Sequence, residues 1–214
     1  MGNLEQMTLD DALDNLQAMV SVLTLPKTAA FYSISANALL PLYEGFYAKY
    51  KWGDPDALRQ AIDLASEWAT GSGDSSQAPG LLRAVEAATP NGEKFDSPDS
   101  TFAQDVTICV DAALRACLPN AKLNSAWIEY VIEPATVRAC LDETGYTDLG
   151  TSEEATAWRH QALKNRELRR AVESCLRMLD ILASRSELHT SDLDELKSVS
   201  SGLLASSSAG GGHR

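Results

Sequence analysis

The stretch that decides the fold lies at residues 101–118, which read TFAQDVTICVDAALRACL. Its apolar residues recur every three or four positions, the spacing that places side chains on one face of an α-helix. That face consists of Phe102, Val106, Cys109, Val110, Ala113 and Cys117. The segment therefore predicts a long amphipathic helix whose inner face packs into a core.

Two segments that precede this helix carry clear start signals. Thr8 stands directly before an apolar stripe over residues 9–23, and threonine is a good N-cap residue. Asp54 and Pro55 combine an N-cap with the residue type favoured at the first helical position. We expect the helix that they begin to end at Gly71, because glycine favours the backbone conformation found at helix C-termini.

Proline and glycine divide the rest of the chain. Residues 28–50 are predicted as two apolar segments separated near Pro41, because proline lacks the N–H that a helix interior needs. Residues 71–80 are predicted as a flexible loop. Further helices are predicted over residues 81–88, from a cap at Ser125 to Thr144 and Gly145 with a kink at Pro134, over 152–164 and 166–185, and after Ser191 to about Leu204.

The pattern as a whole predicts an all-α fold, a compact single-domain multi-helix bundle, because no segment alternates with a period of two. Residues 1–26 are expected to form an acidic N-terminal helix that packs on or near the body. The main helical domain is expected over 27–187, a short C-terminal helix over 188–204, and a disordered tail over 205–214.

The composition is that of a globular acidic protein. Of the 214 residues, 44% are hydrophobic and 22% are charged, and the net charge is −12. Such a charge repels phosphate groups, so neither nucleic acid nor an anionic membrane is expected as a partner. No apolar run approaches the roughly 18 residues of a membrane span, and the first residues do not resemble a signal peptide. We therefore expect a cytoplasmic protein.

Four cysteines are widely spaced, at Cys109, Cys117, Cys140 and Cys175. Each stands among apolar neighbours in a helical pattern, and no Cys-x-x-Cys motif is present. This favours buried, reduced thiols in a cytosolic protein. A metal site or a disulfide pair stays open as the alternative.

The sequence contains no catalytic signature. Gly-x-Ser-x-Gly and the glycine-rich phosphate loops are absent, and the only histidines are His160, His189 and His213. His160 is interpreted as a surface histidine, and neither it nor His189 completes the Glu-x-x-His pattern of helical di-iron sites. Glu129 and Glu133 share a helix face, which favours a solvated acidic patch over a metal site. No catalytic, cofactor-binding or metal-binding residue is assigned, and no cofactor is expected.

Charge is distributed unevenly along the chain. Residues 92–158 contain 12 acidic and four basic residues, and the first 26 contain four acidic residues and no basic one. Residues 159–177 reverse the balance, with six basic against two acidic residues. Two interpretations stay open: solvated helix faces that aid solubility, and an acidic surface that attracts a basic protein partner.

Four acidic residues are candidates for partner contact. Asp105 and Asp111 fall on opposite flanks of the apolar stripe of 101–118, so both are expected to edge the core rather than enter it. Glu129 and Glu133, one turn apart before Pro134, are the better candidates because a kink often shapes a groove.

Several segments together resemble one bacterial family. They are Leu39-Leu40-Pro41-Leu42-Tyr43, Trp52-Gly53-Asp54, Leu58 with Ala61-Ile62-Asp63-Leu64 and Trp68, Asp105 to Leu114, and Trp158 to Leu182. Over roughly residues 30–185 the chain resembles the YjaG-like family, domain of unknown function number 416. The resemblance implies a small, all-helical cytosolic protein with no assigned activity. It also favours a structural role for Asp111, in which the carboxylate caps or braces a neighbouring helix.

Three functional hypotheses follow. The first is a non-enzymatic protein-binding protein, most concretely an immunity protein that neutralises a cognate bacterial toxin with a basic domain. The alternative is a YjaG-like protein with an unidentified ligand or partner. The third is an enzyme that uses carboxylates or a metal ion. The sequence does not indicate the oligomeric state.

Overall fold

The structure is a computed structural model of the chain, and it describes residues 4–95, 97–145 and 153–204. Within these ranges the chain forms nine α-helices and four short 3-10 turns, with no β-strand, which confirms the all-α prediction. The helices are α1 (Leu9–Ser21), α2 (Leu25–Tyr50), α3 (Pro55–Ala69), α4 (Ala78–Ala88), α5 (Pro98–Ala116), α6 (Glu129–Thr144), α7 (Glu153–Arg159), α8 (Arg166–Ser184) and α9 (Thr190–Ser200). The predicted start at Ser152 and the predicted tail 205–214 lie outside the described residues.

Two predicted helix starts are confirmed in detail. The hydroxyl of Thr8 accepts a hydrogen bond from the Asp11 N–H over 3.0 Å, and the Asp11 carboxylate accepts one from the Thr8 N–H over 3.2 Å. This reciprocal arrangement is a capping box at the start of α1. The carboxylate of Asp54 accepts hydrogen bonds from the N–H groups of Asp56 and Ala57 at 3.1 and 3.0 Å, which starts α3.

Pro41 does not divide the second helix, so that prediction is wrong. Helix α2 runs unbroken from Leu25 to Tyr50 with Pro41 inside it. Pro41 has no N–H, so the carbonyl of Asn37, four residues earlier, loses its usual helical donor. Both residues are exposed, so water can reach that carbonyl. The buried flanking side chains, such as Leu40 and Tyr43, hold the helix by packing against neighbouring helices.

Two boundaries differ from the sequence-based expectation. Helix α4 begins at Ala78, so the predicted loop over 71–80 is too long. Asn124, not Ser125, caps the 3-10 turn Ser125–Ile128 that leads into α6, because its side chain accepts the N–H of Ala126 over 3.1 Å.

Of two predictions for the later helices, one is confirmed and one is wrong. Gly145 ends α6 with a φ of 79°, as predicted. The stretch predicted as one helix over 152–164 contains α7 and a separate 3-10 turn, Ala162–Lys164, instead of one continuous helix.

Helix α5 is the centre of the bundle. It packs against α2, α3, α4 and α6, and all six side chains of its predicted inner face are buried. Side chains away from that face are buried too, among them Ala103, Thr107 and Ala112. A helix that is covered on several sides buries more than the single stripe that its periodicity predicts.

The first and last helices border the same core. Helix α1 packs on the 3-10 turn before α6 and on α8, and α9 packs on α2 and α8. Leu9 and Leu16 of α1 and Leu196 of α9 are buried in the core that α5 occupies. These contacts place the acidic side of α1 beside the start of α6, and α9 beside α2.

Candidate functional site

The four acidic candidates for partner contact lie in three different surroundings. Asp105 and Glu133 come together where α5 packs on α6. Glu129 lies one turn before Glu133 and contacts α1. Asp111 pairs with Arg115 of its own helix, on a side of α5 near Glu86 of α4.

Asp105 lies inside the core, so the prediction that it edges the core is wrong. Asp105 is only 3% exposed, and its Oδ2 atom has no hydrogen-bond partner among the described residues. The physical reason is that α6 covers the flank of α5 that the periodicity left open. Asp105 therefore does not form part of an exposed partner-binding surface.

The surroundings of Asp105 favour its neutral form. Burial, followed by repulsion from the Glu133 carboxyl, raises the pKa of Asp105 from 3.8 to about 8. The group therefore holds its proton at neutral pH. Glu133 is half-buried at the edge of the same interface.

The buried thiols of Cys109 and Cys175 and the buried phenol of Tyr32 lie in the same part of the core as Asp105. Burial, the Asp105 carboxyl and Cys175 all raise the pKa of Cys109, one turn along α5. Burial and the two cysteines raise the pKa of Tyr32 on α2, whose hydroxyl has no hydrogen-bond partner among the described residues. Groups of this kind hold protons at neutral pH, so the region presents no activated thiolate nucleophile.

Asp111 contacts a residue of its own helix, and its contact with a partner stays a prediction. Its carboxylate forms an ion pair with Arg115 one turn along α5, and this contact raises the pKa of Arg115. The pair is partly exposed, so it contributes little to stability.

Glu129 connects two acidic segments that are distant in the sequence. Gln17 Nε2 of α1 donates a hydrogen bond to Glu129 Oε1 over 2.9 Å. Asp10 and Asp14 lie on the same side of α1 as Gln17, because residues three and four positions apart share a helix face. Asp10, Asp14 and Glu129 are all exposed, and we call these three residues the α1–α6 acidic face.

The sequence model of a family described as "Protein of unknown function (DUF416)" matches residues 15–202. The chain belongs to the DUF416 family. The match begins within α1 and ends after α9, so Asp10 and Asp14 precede it and Glu129 lies within it. This confirms the family resemblance seen in the sequence.

A solved structure of another DUF416 protein shares the fold. The crystal structure of a DUF416 family protein from Shewanella baltica OS155 superposes with a TM-score of 0.68 at 17% sequence identity. The similarity covers 86% of this chain and 92% of the Shewanella chain. No curated protein is significantly similar in sequence to the chain.

Two observations concern metal-binding groups and membrane-spanning helices in the part of this DUF416 chain that the structure describes. Residues 4–95, 97–145 and 153–204 contain no group of three or more His, Cys, Asp and Glu side chains that could hold a metal ion. In those same ranges, no helix has both the length and the apolar character that crossing a membrane requires.

The sequence did not predict two concave sites that the structure of this DUF416 protein contains. A cleft of about 510 Å³ is lined by the end of α2 and the start of α3, where Arg59 pairs with both Glu44 and Asp56. A groove of about 360 Å³ lies between α2, α3 and α9. The cleft forms where α2 and α3 meet across their short connection, and the groove combines side chains of α2 and α3 with side chains of α9, which is distant in the sequence.

Proposed function

We propose that this DUF416 protein binds a basic protein partner through the α1–α6 acidic face. The observation that carries the proposal is the contact between Gln17 and Glu129, which joins the acidic side of α1 to the start of α6. This contact joins residues that are 112 positions apart in the sequence, so the charges of α1 and of the start of α6 lie close to one another. A surface of one sign attracts a partner of the opposite sign and speeds the encounter.

The charges of this face are only partly balanced within the protein. Asp10 forms an ion pair with Arg159. Asp14 and Glu129 form no ion pair within the described part of the chain, and the partner of Glu129 is a neutral amide. Asp14 and Glu129 are therefore the charges that a basic partner would neutralise.

An exposed apolar side chain lies on the same segment. Val22, directly after α1, is 79% exposed, the largest exposure of any large hydrophobic side chain in the described residues. Protein interfaces combine an apolar centre with a polar rim. Val22 is a candidate for apolar contact with the partner that the acidic face attracts.

The most specific form of the proposal is an immunity protein, whose partner is a bacterial toxin with a basic domain. It rests on charge complementarity, since an acidic body can cover a basic cleft and exclude its substrate. The coarser proposal, a basic protein partner, does not depend on it.

The experiment compares three immobilised proteins in a lysate of the source organism at low salt. They are the wild type, the face variant Asp14→Lys with Glu129→Lys, and the control variant Asp180→Lys with Glu187→Lys. Both variants change the net charge equally, and all four substituted side chains are exposed. Circular dichroism verifies that each protein is folded.

The expected result is a basic protein that the wild type and the control variant retain and the face variant loses. Mass spectrometry identifies it, and a toxin gene neighbouring the gene of this protein would support the immunity form. Equal retention by all three proteins, or retention of no basic protein by the wild type, would contradict the proposal.

A further inference from the structure

The exposed side of α8 carries a line of positive charge. Arg166, Arg170 and Arg177 are all exposed. Their spacings of four and seven positions keep them within about 40° of one line along the helix. None of the three forms an ion pair within the described residues. We call these three residues the α8 basic stripe.

Neighbouring acidic residues do not cancel the charge of the stripe. From Lys164 to Arg177 the chain has five basic and two acidic residues. One of the two acidic residues, Glu173, forms a long ion pair of 3.9 Å with Arg169, which lies outside the stripe. Lys164 itself is exposed and forms no ion pair within the described residues. This part of the surface is therefore positive in a protein whose net charge is −12.

The α8 basic stripe lies next to the α1–α6 acidic face. Helix α8 packs on both α1 and α6, the two helices that carry the acidic face. Arg159, seven positions before the stripe, forms an ion pair with Asp10 of that face. Surfaces of opposite charge are therefore neighbours on one molecule, and the acidic face already accepts one arginine of the basic segment.

We propose that the α1–α6 acidic face of one copy binds the α8 basic stripe of a second copy. Because the two surfaces are neighbours, a two-fold axis between them brings each acidic face onto the opposite basic stripe. The same contact then forms twice and closes a dimer. Asp14 and Glu129 meet the arginines of the stripe in this dimer. Arginine suits the contact, because its planar guanidinium binds a carboxylate through two parallel hydrogen bonds.

The net charge of −12 on each copy opposes this association, and the range of each interaction decides the outcome. At about 0.15 M salt a charge acts over about 8 Å, so charges on distant sides of the two copies interact little. Ion pairs that become partly buried at the interface are screened much less. We therefore expect a weak, reversible dimer at about 0.15 M salt that dissociates at about 1 M salt, where the screening length is about 3 Å.

This inference rests on the same acidic face as the proposed function and names a second occupant for it. A basic partner and a second copy compete for Asp14 and Glu129, so dimer formation limits access to the face. The two proposals fail separately, because a variant of the α8 basic stripe keeps the acidic face intact.

Sedimentation equilibrium of the purified full chain measures the dissociation constant of the dimer. The stripe variant is Arg166→Glu with Arg177→Glu, and the control variant is Lys51→Glu with Arg83→Glu. All four side chains are exposed, and both variants lower the net charge equally. At about 0.15 M salt the stripe variant should raise Kd about tenfold or more, because its glutamates repel the acidic face, and the control variant should change it little. Circular dichroism verifies that each protein is folded.

Mixtures of variants test the pairing of the two surfaces. The face variant Asp14→Lys with Glu129→Lys should associate weakly on its own, because its lysines meet the basic stripe. A mixture of the face and stripe variants should dimerise, because each of the two contacts again joins opposite charges. A mixture of the face and control variants has the same net charges but keeps one repulsive contact, so it should associate about tenfold or more weakly.

Three results would overturn the dimer: a wild type that is monomeric at millimolar concentration and about 0.15 M salt, equal dissociation of the stripe and control variants, and a monomeric mixture of the face and stripe variants. A monomeric wild type that still retains a basic protein from lysate would overturn the dimer and leave the proposed function standing. If both proposals hold, the stripe variant dimerises weakly and retains the basic protein.

Discussion

Asp105 on α5 lies near Glu133 on α6, and the Glu133 carboxyl disfavours a charge on Asp105. Burial and this repulsion give Asp105 a pKa of about 8 in the folded protein, against an ordinary value of 3.8. The proton on Asp105 is therefore part of the α5–α6 interface at neutral pH. Removing it leaves a charge in the core with no hydrogen-bond partner for its Oδ2 atom among the described residues.

The first prediction is a loss of stability with rising pH. Because the folded-state pKa of Asp105 is raised, the stability linked to its proton is present below about pH 4 and is lost as the pH rises through about 8. One such group changes the free energy of unfolding by at most about 1.4 kcal/mol per pH unit. Urea unfolding at several pH values measures this in the wild type and in Asp105→Asn, which has no proton to lose.

The difference between these two proteins is the informative quantity, because other carboxylates titrate in both. Asp105→Asn should gain stability relative to the wild type as the pH rises. Asp142→Asn, an exposed carboxylate on α6, is the control and should follow the wild type. Parallel curves for the wild type and Asp105→Asn would show that Asp105 does not carry its proton into the folded state.

The second prediction concerns the four thiols, all of which are buried. Burial raises the pKa of Cys117 to about 12 and also raises the pKa values of Cys109 and Cys175. Because the thiolate is the reactive form, a chromogenic disulfide reagent should react slowly with the native protein. In denaturant without reductant it should release four equivalents. Two equivalents would indicate a disulfide instead.

The third prediction tests the N-cap of α3. Asp54→Ala removes the acceptor of the Asp56 and Ala57 N–H groups and should lower the free energy of unfolding by about 1 kcal/mol. Gln60→Ala, an exposed position on the same helix, is the control and should change little. Equal unfolding midpoints for wild type and Asp54→Ala would contradict the capping role.

The fourth prediction compares two glycines. Gly53 has a φ of 101°, and a Cβ there would lie 2.1 Å from the Tyr43 hydroxyl. That hydroxyl donates to the Ala88 carbonyl over 2.7 Å and accepts the Asp54 N–H over 3.1 Å. Gly53→Ala should therefore cost roughly 2 kcal/mol or more, from backbone strain and the loss of these bonds.

Gly45 supplies the matched comparison. It lies in the interior of α2, and a Cβ there would meet no atom within 4 Å. Gly45→Ala should stabilise the protein by about 0.5–1 kcal/mol, because alanine has the higher helix propensity. Thermal unfolding of both variants checks the pair, and destabilisation of similar size in both would contradict the role assigned to Gly53.

Local signals were predictable from the sequence, because they act within a few residues. Thr8 and Asp54 cap helices through N–H groups two or three positions away, and Gly145 ends a helix through its own backbone conformation. The break expected at Pro41 failed for the opposite reason: the packing of α2 against α3 and α5 outweighs the local cost of proline.

The surroundings of the candidate residues were not predictable, because they depend on distant helices. A one-sided stripe places Asp105 at the edge of α5, and only the position of α6 shows that this edge is covered. The contact between Gln17 and Glu129 spans 112 positions and has no sequence signal. The residues that line the groove likewise come from segments that are distant in the sequence, so no local pattern indicates that they meet.

The association rate constant with the captured basic partner tests the α1–α6 acidic face most directly. Surface charges act mainly on association and are screened by salt. The wild type should associate about tenfold or more faster than Asp14→Lys with Glu129→Lys at low salt, and this advantage should shrink as salt is added. The control Asp180→Lys with Glu187→Lys should match the wild type. Equal association rates for the wild type and the face variant at every salt concentration would contradict the account.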